Sequence, residues 1–178
     1  MTPQQRTRKR ITESNGNSST VPWRRVVDAI TRKRGVVALD RAVLVGISGI
    51  DASGKGFITA KLAERLGTSG WNVAAINADE WLNLPEVCIN RDNYAEHFYK
   101  HAMRFDEMFQ RLIIPLKQNR GISLTAECAD AKATAYHNAR YEFRKIDIVL
   151  LEGIFCSSPH IDITSISRFG LTARSSVR

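Results

Sequence analysis

The stretch Gly49-Ile50-Asp51-Ala52-Ser53-Gly54-Lys55 decides the fold, because it matches the phosphate-loop pattern G-x-x-x-x-G-K. The continuous apolar run at 42–47 comes just before it, which is typical of a strand buried on both faces of a parallel sheet. Ile58, Leu62 and Leu66 follow at helical spacing. A buried strand, a glycine-rich turn and an amphipathic helix in this order predict a loop that binds phosphate.

The residue types of this loop suit an anion. Glycines allow a tight turn and a close approach of the backbone to a phosphate. Consecutive N–H groups then converge on the anion, and the helix N-terminus adds partial positive charge. The lysine supplies a full charge for the terminal phosphates. We therefore expect ATP to be bound by Gly49, Ile50, Asp51, Ala52, Ser53, Gly54, Lys55 and Gly56.

One position departs from the pattern. A serine or threonine should follow the lysine and hold Mg²⁺ by its hydroxyl, but Gly56 stands there. Thr59 lies about 4.5 Å further along the helix axis at 1.5 Å per residue, and we expect it to be a poor substitute. Either the acids and water hold the magnesium, or activity is reduced.

Two acids follow predicted strands. Asp79 comes after the strand 72–77, and Glu152 comes after the strand 146–151. Ligands of open α/β sheets bind beyond the carboxyl ends of the strands. Asp79 can therefore accept a proton from an attacking hydroxyl or support the metal, and Glu152 can bind Mg²⁺ directly or through water. A helix cap or a solvated loop acid for Asp79, and a structural role for Glu152, remain the alternatives.

The other elements complete an α/β pattern. We expect a long helix at 94–116, with an apolar stripe on one face, that ends or kinks at Pro115. A further strand is expected at 122–128. Strands that alternate with helices predict a P-loop NTPase-type, three-layer α/β/α fold with a mainly parallel sheet.

Four segments are expected in the 178 residues. Residues 1–20 form a disordered basic leader, because they are polar and cannot bury enough apolar surface. Residues 21–40 form an N-terminal helix, residues 41–166 the domain that carries the phosphate loop, and residues 167–178 a loose tail.

Charge and hydropathy limit the partners. The net charge is +8, of which +6 lies in residues 1–40, so nucleic acid is expected to bind at most weakly, through the leader. No stretch approaches the roughly 20 apolar residues of a membrane span, and the N-terminus lacks a signal-type apolar core. We expect a cytoplasmic protein that does not contact a membrane. Its oligomeric state stays open, with a homo-oligomer among the alternatives.

Across residues 40–155, the chain resembles the uridine kinase family, within the phosphoribulokinase/uridine kinase group of P-loop kinases. The resemblance rests on residues 45–55, on Ala78-Asp79-Glu80-Trp81-Leu82, and on Val149-Leu150-Leu151-Glu152-Gly153-Ile154-Phe155. It implies transfer of the γ-phosphoryl group of ATP or GTP, with Mg²⁺, to a nucleoside 5′-hydroxyl.

The resemblance also implies roles for residues. Lys55 and the amides of 49–56 would hold the triphosphate, Asp79 would accept the hydroxyl proton, and Glu152 would lie near the metal. The segment 86–145 would cover the sugar and base, with four aromatic candidates: Trp81, Tyr94, Phe98 and Tyr136.

The family continues into a helical lid that carries arginines, for which this sequence has at most a stub with Arg168 and Arg174. Three functions therefore stay open. The first is a small-molecule kinase that resembles uridine kinase. The second is a nucleotide-binding fragment or pseudoenzyme with weak catalysis. The third is a P-loop kinase with a non-nucleoside acceptor, such as pantothenate or a sugar phosphate.

Overall fold

The structure is a computed structural model, and it describes residues 23–50, 52–88, 101–130 and 132–153. The predicted leader at 1–20 and tail at 167–178 lie outside these ranges, as do Arg168, Arg174, Tyr94 and Phe98. Among the described helices, none combines the length and the apolar character that crossing a bilayer requires.

A three-stranded parallel sheet forms the centre of the fold. Its order is β1 (Val43–Ser48), β5 (Ile148–Gly153) and β2 (Val73–Asn77). The central strand is buried over 148–151, which explains its unbroken aliphatic run. It begins and ends two residues later than the expected strand 146–151. Glu152 therefore lies within β5, beside Ile47 of β1 and Asn77 of β2.

Helices cover both faces of this sheet. On one face, α1 (Trp23–Val36) and α2 (Lys55–Thr68) pack against Ile148 and Leu150. Val149 and Leu151 point to the other face, because side chains alternate along a strand, and there they pack against a helical stretch at 105–119. The predicted α/β fold with a parallel sheet is thus confirmed.

The expected helix at 94–116 lies partly outside the described residues, at 94–100, and it is not continuous over the rest. After the short helix α3 (Pro85–Cys88), the described helical stretch consists of α4 (Phe105–Met108), a π-helical turn (Phe109–Ile113) and α5 (Ile114–Asn119). Residues 102–104 interrupt it, because Met103 pairs with Leu82. Pro115 does not end the helix. It lies in the first turn of α5, directly after the π-helical turn, where the regular α-helical hydrogen bonding is already interrupted.

An antiparallel hairpin borders the same face. It pairs β3 (Ile122–Cys128) with β4 (His137–Phe143). The first strand was expected, whereas the second was not. Its signal is the alternation of Ala139, Tyr141 and Phe143 with polar residues, which is typical of a half-buried strand.

A buried ionic cluster lies where β5 begins, at the end of the sheet away from the phosphate loop. Asp147 Oδ1 lies 3.5 Å from Arg34 Nη2 and 2.5 Å from Arg120 Nη2. Its Oδ2 accepts the N–H of Asn72 at 3.1 Å. The cluster connects α1, the residue after α5 and the start of the central strand.

Candidate functional site

The loop between β1 and α2 has the backbone of a phosphate-binding turn. Ala52 and Gly54 both have positive φ, 58° and 81°. Glycine enters this region without strain, whereas alanine rarely adopts it. The Ser53 N–H donates to the carbonyl of Ile50 at 3.2 Å. Gly54 then caps α2, which begins at Lys55. Loop amides and the helix N-terminus therefore lie together, as an anion requires.

The loop is also closely packed. A Cβ placed on Gly49 would overlap the Oγ of Ser53, so this turn requires the glycine. The Ser53 Oγ is buried and has no hydrogen-bond partner among the described residues. Buried hydroxyls are normally hydrogen-bonded, and a phosphate oxygen in the loop would satisfy this one. Asp51 lies outside the described residues.

Lys55 and Asp79 meet beside the loop, with Nζ and Oδ2 3.1 Å apart. Asp79 lies past the end of β2, in the 3₁₀ turn Ala78–Glu80. The side chain of Asn77 caps this turn by accepting the Asp79 N–H at 2.9 Å. The cap alternative for Asp79 is therefore wrong, and its carboxylate, one-third exposed, pairs with the lysine instead.

The carboxylate of Glu152 lies over Gly56. A Cβ built on Gly56 would be 3.6 Å from each carboxylate oxygen of Glu152. Thr59 reaches the same group, with its Oγ1 3.3 Å from Glu152 Oε2 and 2.9 Å from the carbonyl of Lys55. The hydroxyl that was expected to lie too far along the helix therefore contacts the acid of this site.

The charge of Glu152 is only partly compensated. Burial raises the pKa of its carboxyl above the usual value, and the hydrogen bond from Thr59 and the charge of Lys55 oppose this shift. The neighbouring carboxylates of Asp79 and Glu80 raise the pKa further. A cation at this place would relieve the repulsion.

Comparisons with known proteins find similar structures but no similar sequences. No protein-family model matches the chain, and no curated protein sequence matches it either. The chain is similar in structure to a possible uridine kinase from Bacillus stearothermophilus, with a TM-score of 0.62 and 18% identity over 78% of this chain and 77% of that one. It is also similar to a candidate fructose transport system kinase from Silicibacter sp. TM1040, with a TM-score of 0.52 and 18% identity over 76% of this chain and 65% of that one.

The chain has a P-loop NTPase-type fold. In this fold the loop at 49–56 joins β1 to α2. The parallel strands bring Asp79 and Glu152 to the same end of the sheet.

The oxygen donors of the P-loop site suit magnesium. No group of three or more His, Cys, Asp or Glu side chains that could hold a metal occurs within the described ranges. Magnesium needs no such group, because one or two carboxylates and the substrate's phosphates commonly hold it. Asp79 and Glu152 are two carboxylates that could hold it, and Thr59 has a hydroxyl beside one of them.

Trp81 is not available to stack on a ligand. It is fully buried, its Nε1 donates to the Tyr141 hydroxyl at 3.1 Å, and the two rings stack with centroids 6.0 Å apart. The guanidinium of Arg104 covers Trp81 at 5.4 Å and Tyr136 at 4.9 Å from the ring centroids. Tyr136 in turn donates its hydroxyl proton to Asn83 Oδ1 at 3.0 Å. Trp81 and Tyr136 are the two aromatic candidates among the described residues. Their contacts therefore hold the segment after Asp79 in place.

The sequence did not indicate that Arg104 and Tyr141 hold the segment after Asp79. Arg104 forms an ion pair with Glu107 at 2.9 Å, and its backbone N–H donates to the carbonyl of Trp81 at 2.9 Å. The Tyr141 hydroxyl lies 3.4 Å from Glu80 Oε2. These contacts join residues that are far apart in sequence. Only the alternation in β4 could have indicated that Tyr141 points inward.

Proposed function

We propose that the chain transfers the γ-phosphoryl group of ATP, or GTP, to a hydroxyl of a small molecule, and that this hydroxyl is the 5′-hydroxyl of a nucleoside. One observation carries the proposal: the phosphate-loop lysine, Lys55, lies 3.1 Å from Asp79 at the end of a neighbouring strand. A cation for phosphate and a carboxylate for a hydroxyl proton are thus adjacent. The similarity to structures named as kinases supports the same class of reaction.

Each group has a distinct task in this reaction. The loop amides and Lys55 bind the triphosphate and neutralise part of its charge. The acceptor oxygen attacks the γ-phosphorus, the bond from that phosphorus to the bridging oxygen breaks, and the nucleoside diphosphate leaves. Asp79 takes the proton that the acceptor hydroxyl releases. Before that step, Lys55 must turn from Asp79 towards the phosphates.

Magnesium fits this site. Glu152 and Asp79 would hold the ion, which when bound neutralises charge on the phosphates.

Transfer of label from γ-³²P-ATP tests the proposal. The acceptors are uridine, cytidine, other nucleosides, pantothenate, fructose and ribulose 5-phosphate, and ATP binding is followed in parallel by calorimetry. We expect labelled nucleoside monophosphate from the native chain. Lys55→Ala should lose both ATP binding and transfer, whereas Asp79→Asn should lose transfer alone. Full transfer by Asp79→Asn would contradict the assignment of the base.

Two observations favour alternatives. Gly56 removes the usual metal-binding hydroxyl, which favours a nucleotide-binding protein with weak catalysis. The similarity to a candidate fructose transport system kinase favours a sugar acceptor. ATP binding without labelled product would support the first alternative, and label in fructose or ribulose phosphate would support the second.

A further inference from the structure

The phosphate-loop pattern places a hydroxyl side chain directly after its lysine. In this chain that position is Gly56, and it faces the carboxylate of Glu152. A side chain at position 56 would begin 3.6 Å from both oxygens of Glu152. The backbone of Gly56 is not in the left-handed region, so the position would accept a side chain without strain. The glycine therefore places no side chain against the Glu152 carboxylate.

Thr59 approaches the same carboxylate from the next turn of α2. Its Oγ1 lies 3.3 Å from Glu152 Oε2, and the side chain is 4% exposed. The branched Cβ restricts the rotamers of this residue. Its single hydroxyl proton faces two acceptors, the carbonyl of Lys55 at 2.9 Å and Glu152 Oε2 at 3.3 Å. The Thr59 hydroxyl is thus a donor of restricted rotamer that is shared between the helix backbone and one oxygen of Glu152.

On the basis of the proposed nucleotide site, we propose that Thr59 is a positioning residue for a divalent cation. It orients Glu152 over Gly56, so that a carboxylate oxygen takes the place of the hydroxyl that position 56 lacks. The cation is then held by carboxylates of the protein and by the nucleotide. The Thr59 hydroxyl acts through Glu152 and does not itself bind the metal.

Binding of Mn²⁺ tests this proposal without any turnover. The free Mn²⁺ signal in electron paramagnetic resonance is titrated with each full-length variant in the presence of a non-hydrolysable ATP analogue. We expect Thr59→Val to weaken Mn²⁺ binding by roughly tenfold or more, the usual effect of removing a group that orients a ligand. Thr59→Ser keeps the hydroxyl and should retain most of the affinity. Gly56→Ser should restore Mn²⁺ binding when it is added to Thr59→Val.

Thr68→Val is the matched control. The Thr68 hydroxyl donates to the carbonyl of Glu64 at 2.9 Å, four residues earlier on the same helix, as Thr59 does to Lys55. It should leave Mn²⁺ binding unchanged. Thermal unfolding of all variants separates a loss of the fold from a loss of the site.

The outcomes distinguish this inference from the proposed function. Native Mn²⁺ affinity in Thr59→Val would overturn the inference, as would an equal loss in Thr59→Ser. In each of these cases binding of the analogue by the native chain leaves the proposed function standing. If the native chain does not bind the analogue even with Mn²⁺, the proposed function fails, and the inference fails with it.

Discussion

The Lys55 ammonium lies 3.1 Å from the Asp79 carboxylate, so the proposed phosphate-binding group and the proposed base neutralise each other in this structure. A triphosphate that binds to the loop would compete with Asp79 for the lysine. In the proposed reaction, binding of the nucleotide would therefore release the carboxylate for the acceptor hydroxyl.

Asp79→Asn should separate binding from transfer. We expect ATP without Mg²⁺ to bind with unchanged or up to about fivefold higher affinity, because a partly exposed ion pair contributes at most about 1 kcal/mol. Phosphoryl transfer should fall by roughly 10²–10⁴ because the proton acceptor is lost. Calorimetry and label transfer measure the two effects. Glu64→Gln is the control. It breaks the exposed ion pair between Glu64 and Lys61 on α2, the helix that begins at Lys55, and should change neither ATP binding nor transfer. Weaker ATP binding by Asp79→Asn would contradict the competition.

Glu152→Gln should stabilise the ligand-free chain at neutral pH. The pKa of Glu152 is raised in the folded state, so the folded chain binds its proton more tightly than the unfolded chain does. Native stability therefore falls as the pH rises from about 4.5 through the raised pKa. The variant avoids this loss and should be the more stable of the two proteins at pH 7.

Thermal unfolding between pH 4 and 8 checks this pH dependence. The difference between the two proteins should vanish at the acidic end, where Glu152 is protonated in both states. Added Mn²⁺ and ATP analogue should stabilise the native chain more than the variant, because a ligand stabilises only the form that binds it. A variant less stable than the native chain at pH 7 would show that the charge of Glu152 is well compensated.

Gly49→Ala should damage the phosphate loop. The new methyl group would overlap Ser53 Oγ, and overpacking of this kind costs about 1–3 kcal/mol. We expect ATP affinity to fall by roughly tenfold in calorimetry. Adding Ser53→Ala should restore part of it. Gly67→Ala is the control, because nothing lies within 4 Å of a Cβ there. It should leave ATP affinity intact and stabilise α2. Equal losses in both glycine variants would contradict this role of Gly49.

Tyr141→Phe should destabilise the segment that carries Asp79. The Tyr141 hydroxyl accepts the buried Nε1–H of Trp81, and a buried donor left without an acceptor costs about 1–3 kcal/mol. Urea unfolding measures the loss. Tyr136→Phe removes a hydroxyl that is only partly buried and should cost less. A larger loss in Tyr136→Phe would place the important hydrogen bond at the other ring.

The parts of the fold that were predictable are the parts with local signals. The loop at 49–55, the buried strand β5 and the helix α2 each carry their pattern within a few residues. The break before α4 does not. The stripe through Ala102, Phe105 and Met108 is helical in spacing, and only the pairing of Met103 with Leu82 interrupts it.

The site follows the same division. That Asp79 and Glu152 share an edge was predictable, because parallel strands end on the same side of the sheet. The contact between Thr59 and Glu152 was not, because it depends on how α2 packs on the sheet. The separation of Thr59 from position 56 along the helix axis suggested that its hydroxyl lies too far from the metal site. In the structure its side chain nevertheless contacts Glu152.

The ionic cluster around Asp147 has a consequence for sequence variation. Arg34 is 3% exposed and Asp147 9%, so replacing Asp147 leaves Arg34 charged and buried without its carboxylate partner, which is strongly destabilising. Replacing the cluster together by apolar residues avoids that penalty. Positions 34, 120 and 147 should therefore covary among homologues, and a double-mutant cycle between any two should give a coupling energy of about 0.5–3 kcal/mol.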